Sequence, residues 1–313
     1  MDVVRGIDSL APRGGPAAVT VGFFDGVHRG HQAVIGRTVE AARGRGLVPV
    51  AVTFDRHPRE VLTPGEVPAL LTTLDRKAAL IAALGVEALV VLEFTRELSE
   101  WPPEAFVRRV LIEGLRAKHA VVGSNFTFGH QAAGNLVTLA ELGAAGGMTT
   151  EGVSLLSIDG RRVSSSSIRE ALAAGDLDWP ELAFGRRFIL DGVVVPGAGR
   201  GAGLGFPTAN LEVSPRLLLP AEGVYAGKAL TAEGERQAAI NVGTNPTFGR
   251  EPLHVEAFLL DFEGDLQGRP MALEFWARLR DEVRFDSSEA LARQIGEDVE
   301  RTRELVARAE TAR

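Results

Sequence analysis

His28 and His31 stand three residues apart in the string Gly22-Phe23-Phe24-Asp25-Gly26-Val27-His28-Arg29-Gly30-His31, which leaves an apolar run and enters a helical pattern. Glycine lets the backbone approach an anion closely. A helix N-terminus adds unpaired N–H groups and the positive end of the helix dipole. At one helix end both histidines can point at the same phosphate. The set suits in-line attack on the α-phosphorus of a nucleoside triphosphate, where a protein positions reactants and stabilises charge without bonding covalently to them. Taken alone, these residues also fit a capping loop with one surface and one packing histidine.

Further along, Arg162-Val163-Ser164-Ser165-Ser166-Ser167-Ile168-Arg169 puts serine hydroxyls at a helix start between two forked cations. Both features suit phosphate oxygens, and an N-cap with a flexible loop is the plainer alternative. A third candidate runs from Gly197 to Asn210 and is dense in glycine (Gly197, Gly199, Gly201, Gly203, Gly205). Such a loop can wrap the phosphates of ATP with backbone N–H groups. No parallel βα unit follows it, which argues against a dinucleotide fold. Thr208 and Asn210 are hard oxygen donors two residues apart, on one side of an extended segment, and suit joint contact with Mg²⁺. A glycine-rich hairpin stays open for this stretch.

The elements that must hold these groups fall into two halves. Strand-like runs at Ala18–Gly22, Val48–Thr53, Ala88–Glu93 and Ala120–Gly123 alternate with helical patterns at 31–45, 77–84, 103–115 and 135–144. That alternation predicts a parallel, Rossmann-like α/β sheet covered on both faces, with its ligand at the C-terminal strand ends. A helix over 166–174 follows. After Gly185 short β-type runs at 189–195, 223–229, 237–242, 255–261 and 271–279 predict a small antiparallel barrel. A long amphipathic helix over 287–309 closes the chain, capped by Asp286 or Ser287. The domains are expected at 1–182 and 183–313.

With 313 residues, two domains are the natural expectation, and 45 % apolar with 24 % charged residues is ordinary for a globular protein. There are 34 Lys plus Arg against 41 Asp plus Glu, a net charge of −7. This argues against general nucleic-acid binding, which needs a basic footprint. Cysteine is absent, which rules out disulfides, thiolate metal sites and a cysteine nucleophile. The N-terminus lacks a signal-peptide pattern and the most apolar stretch is too short to span a bilayer. The expectation is a cytoplasmic protein with no membrane or nucleic-acid partner.

The first string closely resembles the HxGH nucleotidyltransferase signature, in the form GxFDGVHxGH seen in bacterial bifunctional riboflavin kinase/FAD synthetases. Thr53-Phe54-Asp55-Arg56-His57-Pro58 is similar to that family's TFDPHP segment, which places Phe54 and His57 near flavin and phosphates. Val122–Gly129 resembles VGxDFxFG, with Asn125 at the frequent aspartate and Thr127 at the frequent arginine. Arg162–Arg169 resembles RISSTxIR, with Ser166 in the threonine place. Leu204–Leu211 (LGFPTANL) matches the riboflavin kinase signature, and Asn241–Gly249 and His254–Glu256 look like the rest of that module.

The resemblance implies two reactions. In the C-terminal barrel, riboflavin and ATP give FMN and ADP, with Mg²⁺ at Thr208 and Asn210 and Glu256 as the base. In the N-terminal domain FMN attacks a second ATP, giving FAD and pyrophosphate. There His28, His31, Asn125, Arg162, Ser165, Ser166 and Arg169 would hold phosphates and spread charge. Gly22, Phe24, Asp25, Gly26 and Gly30 would line one site, and Arg200, Gly201, Gly205 and Pro207 the other. Leu279–Phe285 resembles a segment that closes over the flavin, making Arg280 and Phe285 flavin contacts. The chain departs from the family at Phe23 (often asparagine), at Ala202 and Gly203 (usually a basic residue follows Arg200-Gly201), and at Gln267 (commonly tyrosine). A different nucleotidyl acceptor or a flavin-binding sensor are the competing functions, and a monomer or weak homo-oligomer is expected.

Overall fold

The computed structural model describes residues 1–6, 15–197, 200–244 and 253–311, and the chain divides into two compact units, Met1–Ser165 and Ser166–Arg313. The first unit is a six-stranded sheet built from β1 (Asp2–Arg5), β2 (Ala17–Val21), β3 (Val48–Phe54), β4 (Ala88–Leu92), β5 (Ala117–Gly123) and β6 (Thr149–Val153). Its order is β1-β4-β3-β2-β5-β6 and every pairing is parallel; a small antiparallel pair, β7 (Ser157–Ile158) and β8 (Arg161–Arg162), follows β6. The valine and alanine runs of β2 to β5 are buried on both faces, as helix-covered parallel strands must be.

From β2 the chain builds outward through β3 and β4, then returns to place β5 on the other side of β2. The switch point therefore lies between β2 and β5, where a doubly wound sheet opens its ligand crevice. Helix α1 (Arg29–Arg45) leaves the loop after β2, beside that point.

β1 and β6 were not among the expected strands. β1 is four residues long and mostly exposed at the sheet edge, and β6 (TTEGV) is half-buried and polar, so neither shows an apolar run. The helix expected over 103–115 is α-helical only at Pro103–Phe106 and widens into a π-helix over Val107–Gly114. Leu115 N donates to the Val110 carbonyl five residues back (2.9 Å). Phe106, Val107, Val110 and Leu111 are all buried, so the amphipathic spacing reads correctly as helix without revealing the wider turn.

The second unit opens with helices Ser165–Ala173, which the division cuts after its first residue, and Asp178–Phe184. A closed antiparallel barrel follows: β9 (Phe188–Val195), β10 (Thr208–Glu212), β11 (Gly223–Thr231), β12 (Gly234–Gly243), β13 (His254–Leu259) and β14 (Pro270–Arg280), ordered β10-β13-β12-β11-β14-β9. Closure removes the exposed edges that an open sheet would leave. β10 falls where the sequence reads as a binding loop, because three of its five residues (Thr208, Asn210 and Glu212) are polar and only Leu211 is buried. The closing helix Ser288–Thr311 starts beyond Ser287, whose Oγ accepts from Ala290 N (3.1 Å), and it packs on β11 and β12.

Beneath the β2–α1 loop, Phe24 and Val27 pack with Ile35, Ile81 and Leu89, and Ile35 is fully buried. Ile35→Ala should destabilise the first unit by about 2–5 kcal/mol, the usual range for emptying such a position. Urea unfolding followed by circular dichroism checks this.

Candidate active sites

The loop joining β2 to α1 carries unusual backbone. Phe24 (φ 53°), Gly26 (76°) and Val27 (43°) all lie in the left-handed region, which a β-branched valine tolerates poorly. The conformation aims His28 to cap α1: its Nδ1 accepts from His31 N (3.3 Å). The two imidazoles then stack, with ring centroids 3.6 Å apart, and the edge of Phe24 closes on His31 at 5.3 Å. His28 is therefore a capping residue as well as a site candidate. The Phe24 ring is buried in the core. Gly30 sits beneath this stack, where a Cβ would come 3.2 Å from the His28 ring.

His31 Nδ1 is buried with no hydrogen-bond partner. Burial, the neighbouring His28 and then Lys77 hold the His31 pKa well below the usual histidine value, so the ring is neutral at pH 7. A neutral imidazole can still donate to a phosphate oxygen through its protonated nitrogen.

Several expected residues meet this loop. Ser165 Oγ donates to the Asp25 carbonyl (3.0 Å), and the Val163 carbonyl lies 3.9 Å from where a Gly30 Cβ would stand. The segment from exposed Arg162 to Ser165 is thus laid against the start of α1. On the neighbouring strand ends, exposed Asn125 follows β5, and Phe54 closes β3 with its ring edge on Phe94 (5.4 Å). The His57 ring meets that of Phe23 at 4.9 Å. Ser166 and Arg169 continue the helix opened by Ser165, beyond the division between units. The Asp25 carboxyl accepts from Leu71 N (2.9 and 3.1 Å) and Thr72 N (3.3 Å). Gly22 N pairs with the Val52 carbonyl (3.0 Å).

In the barrel, Asn210 on β10 and Asn241 on β12 sit directly across from Glu256 on β13. Inward residues Val255, Ala257 and Leu259 are buried, which turns Glu256 and His254 to the outer face. Glu256 Oε2 accepts from Thr208 Oγ1 (3.2 Å), and Oε1 lies 3.4 Å from His254 Nε2. Thr208, Asn210 and Glu256 therefore share one face. Gly197 makes room for the Asn210 amide, since any Cβ there would overlap it. The turn before β10 is closed by Phe206 N donating to the Gly201 carbonyl (2.8 Å), with Gly205 at φ 87°. A cavity of about 240 Å³ opens beside Gly197, Pro207 and Thr208, walled by Val194, Leu259 and Phe262 and rimmed by exposed Gln267.

Arg280 is held by Asp298 on the closing helix (2.7 and 3.1 Å), and its Nη1 donates to the Asp281 carbonyl (2.9 Å). The Phe285 ring lies 5.7 Å from the guanidinium. Ala198, Gly199 and Asn245–Gly249 lie outside the described residues, as does the Arg200 side chain. Two contacts escaped sequence reading, Thr72 and Lys77, and His254 entered only as part of a family segment with no role of its own. Lys77 carried a signal, because it shares the buried stripe of helix Leu74–Ala83 with Ile81. His254 did too, two residues before Glu256 in an alternating strand.

Two family models match separate stretches: FAD synthetase over residues 12–167 and riboflavin kinase over 184–306. The bifunctional riboflavin kinase/FMN adenylyltransferase of Pseudomonas fluorescens is 40 % identical over 309 residues, 98 % of each chain. Those of Bacillus subtilis (35 %, 90 % of each chain) and Escherichia coli K12 (34 %, 97 % of this chain and 98 % of that one) are similar. A solved structure named as a macrolide-efflux protein from Streptococcus pneumoniae superposes with TM-score 0.87 and 28 % identity, over 97 % of this chain and 99 % of that one. Among the described residues no helix of this chain is long and apolar enough to cross a membrane.

The neutral, buried His31 gives a signed pH dependence. Between its lowered folded pKa and about 6.5, the unfolded chain binds a proton that the folded chain does not, so stability rises with pH in that window. Urea midpoints should fall as pH drops from about 6.5, and His31→Gln should flatten that slope. His119, also lowered, first by its burial, keeps part of it.

Proposed function

Because the chain belongs to the bifunctional riboflavin kinase/FMN adenylyltransferase family, we propose specific residues for its two reactions. The chain phosphorylates riboflavin with ATP in its riboflavin kinase domain and adenylylates FMN in its FAD synthetase domain. For the kinase step, the carrying observation is Glu256, set between Asn210 and Asn241 and accepting from Thr208. In our reading Glu256 takes the proton from the riboflavin 5′-hydroxyl as that oxygen attacks the γ-phosphorus of ATP, and ADP leaves.

The donor chemistry beside Glu256 fits Mg²⁺. Thr208 and Asn210 offer neutral hard oxygens on one face, and phosphate oxygens of ATP supply the remaining ligands. The ion would offset charge on the transferring phosphoryl group. Among the described residues no cluster of three or more His, Cys, Asp or Glu could hold a metal by itself, which suits an ion that arrives with its nucleotide. Arg280 and Phe285 are proposed flavin contacts. Arg280 would act through its stacking face, since its donors reach Asp298 and Asp281. Gly201, Gly205 and Pro207 shape the turn that meets ATP, with Arg200 supplying a cation on sequence grounds.

For adenylylation, the FMN phosphate attacks the α-phosphorus of a second ATP and pyrophosphate leaves. The N–H groups at the start of α1, His28, His31, Asn125, Arg162 and Ser165 would hold phosphates and stabilise the developing charge. Gly22, Gly26 and Gly30 keep the backbone open to them. Phe54 and His57, at the adjoining strand end, would meet the flavin or phosphates. Ser166 and Arg169 are retained as further donors from sequence alone. The activities divide between 1–182 and 183–313, a boundary that falls between the two matched stretches. A cytoplasmic monomer or weak homo-oligomer, with no nucleic-acid partner, completes the reading.

A chromatographic time course with riboflavin, ATP and Mg²⁺ tests it. Wild type should make FMN, then FAD. Glu256→Ala should leave riboflavin untouched while converting added FMN, and His28→Ala should accumulate FMN. Flavin that binds but never changes would mark a sensor instead. Gly30→Ala pushes a methyl against the stacked His28 and should slow FAD formation roughly tenfold, a fraction of what an ångström of misplacement can cost, with FMN formation unchanged.

A further inference from the structure

Lys77 projects from helix Leu74–Ala83 and is only 4 % exposed, the one lysine or arginine classed as buried among the described residues. Burying an ammonium costs several kcal/mol unless partners replace its water. Here Nζ donates to the Phe23 carbonyl (2.8 Å) and stands 4.1 Å from the centre of the Phe23 ring. The same carbonyl accepts from Thr53 Oγ1 on β3 (3.0 Å), and the Phe23 ring meets the His57 ring. Lys77 thus ties Phe23, second residue of the strained β2–α1 loop, to helix Leu74–Ala83, while Thr53 ties the same carbonyl to the end of the adjoining strand.

The same stretch of chain grips the loop at two further points. Leu71 N and Thr72 N donate to the Asp25 carboxylate, and Gly26 N donates to Thr72 Oγ1 (3.2 Å). Those ties use backbone amides and a hydroxyl, whereas Lys77 brings a full positive charge. That charge also helps keep His31 neutral, after burial and His28.

We propose that Lys77 is a positioning residue for adenylyl transfer, acting through the Phe23 carbonyl and ring to hold the β2–α1 loop and its imidazole pair in register. The proposal rests on the FMN adenylyltransferase assignment of this loop. In this role Lys77 acts through the loop: its cation fixes the Phe23 carbonyl, and the loop aims the N–H groups and histidines at the phosphates. Ground-state binding is shared among many contacts, while alignment for in-line attack depends on the loop. Losing Lys77 therefore lowers kcat more than it raises KM.

The test uses full-length wild type, Lys77→Met, Lys77→Arg and Thr53→Val. FAD formation from FMN and ATP and FMN formation from riboflavin and ATP are measured on the same preparations, with thermal unfolding of each variant. Lys77→Met should lower kcat for FAD formation roughly 30- to 100-fold, the scale of an ångström of misplacement, with KM for ATP within about 3-fold and FMN formation unchanged. Lys77→Arg should recover most of the rate, and Thr53→Val should fall between Lys77→Met and wild type. The proposal is overturned if Lys77→Met keeps more than half the wild-type kcat, if KM rises in step with the loss, or if folded Lys77→Arg is as slow as Lys77→Met. Should Lys77→Met not unfold cooperatively, Lys77→Arg and Thr53→Val decide by the same criteria. Wild type that makes no FAD at all would overturn the adenylyltransferase assignment itself, an outcome separate from any behaviour of the variants.

Discussion

A valine at φ 43° and a phenylalanine at φ 53°, both buried, sit in one short loop between β2 and α1. Each such residue costs on the order of 1–3 kcal/mol, and persists only when its surroundings over-determine it. The buried Asp25 carboxylate supplies much of that determination. Its oxygens accept from two backbone amides of the segment before helix Leu74–Ala83. Gln32 Nε2 donates to the Val27 carbonyl (2.9 Å) and fastens the far end of the loop to α1. With the loop so held, His28 becomes the cap of α1 and His31 stacks beneath it. The geometry of the imidazole pair is thus a consequence of where a buried carboxylate finds its donors.

The barrel solves a different positioning problem with regular structure. Strand alternation turns His254 and Glu256 outward on β13, while Val255 and Ala257 fill the core. Pairing with β10 and β12 puts an asparagine on each side of Glu256. The glutamate is fixed by register, so a slip of one residue would bury it and expose its apolar neighbours. Where the first site depends on an irregular loop clamped from outside, the second depends on a ladder that cannot slide.

Much of this was legible in the sequence, and what was not has identifiable causes. The buried valine runs of β2 to β5 announced a parallel sheet because both faces are covered. β1 and β6 lack such runs because they lie at the sheet edges. β10 escaped notice because its residues are polar, for the same reason that they suit a ligand. The histidine and LGFPTANL strings pointed to both candidate sites and named Phe24 and Asp25 for the first without saying which of their atoms would serve. In the fold both side chains are turned inward, and only their backbone stays near the site. Spacing along a chain shows which residues gather at a strand end. It does not show which of them face the ligand and which hold the loop, because that depends on contacts with segments such as Leu71–Lys77, some fifty residues away.

The two sites also differ in the way their nucleophiles demand. A phosphate monoester carries roughly −1.5 to −2 charges at neutral pH, its second pKa being about 6. The FMN phosphate is thus already ionised when it attacks, and adenylyl transfer needs donors and alignment but no base. The loop after β2 fits this: its one carboxylate, Asp25, is committed to backbone amides, and its buried imidazole is kept neutral. An alcohol is a different nucleophile, since its proton must leave as the new bond forms. In the proposed reading Glu256, turned out of the barrel wall and accepting from the Thr208 hydroxyl, is the acceptor for that proton. Had the assignment been reversed, the barrel's carboxylate would repel an anionic attacker. Charge at the barrel site therefore suits an alcohol better than an anion as its nucleophile, in keeping with the riboflavin kinase match over that stretch.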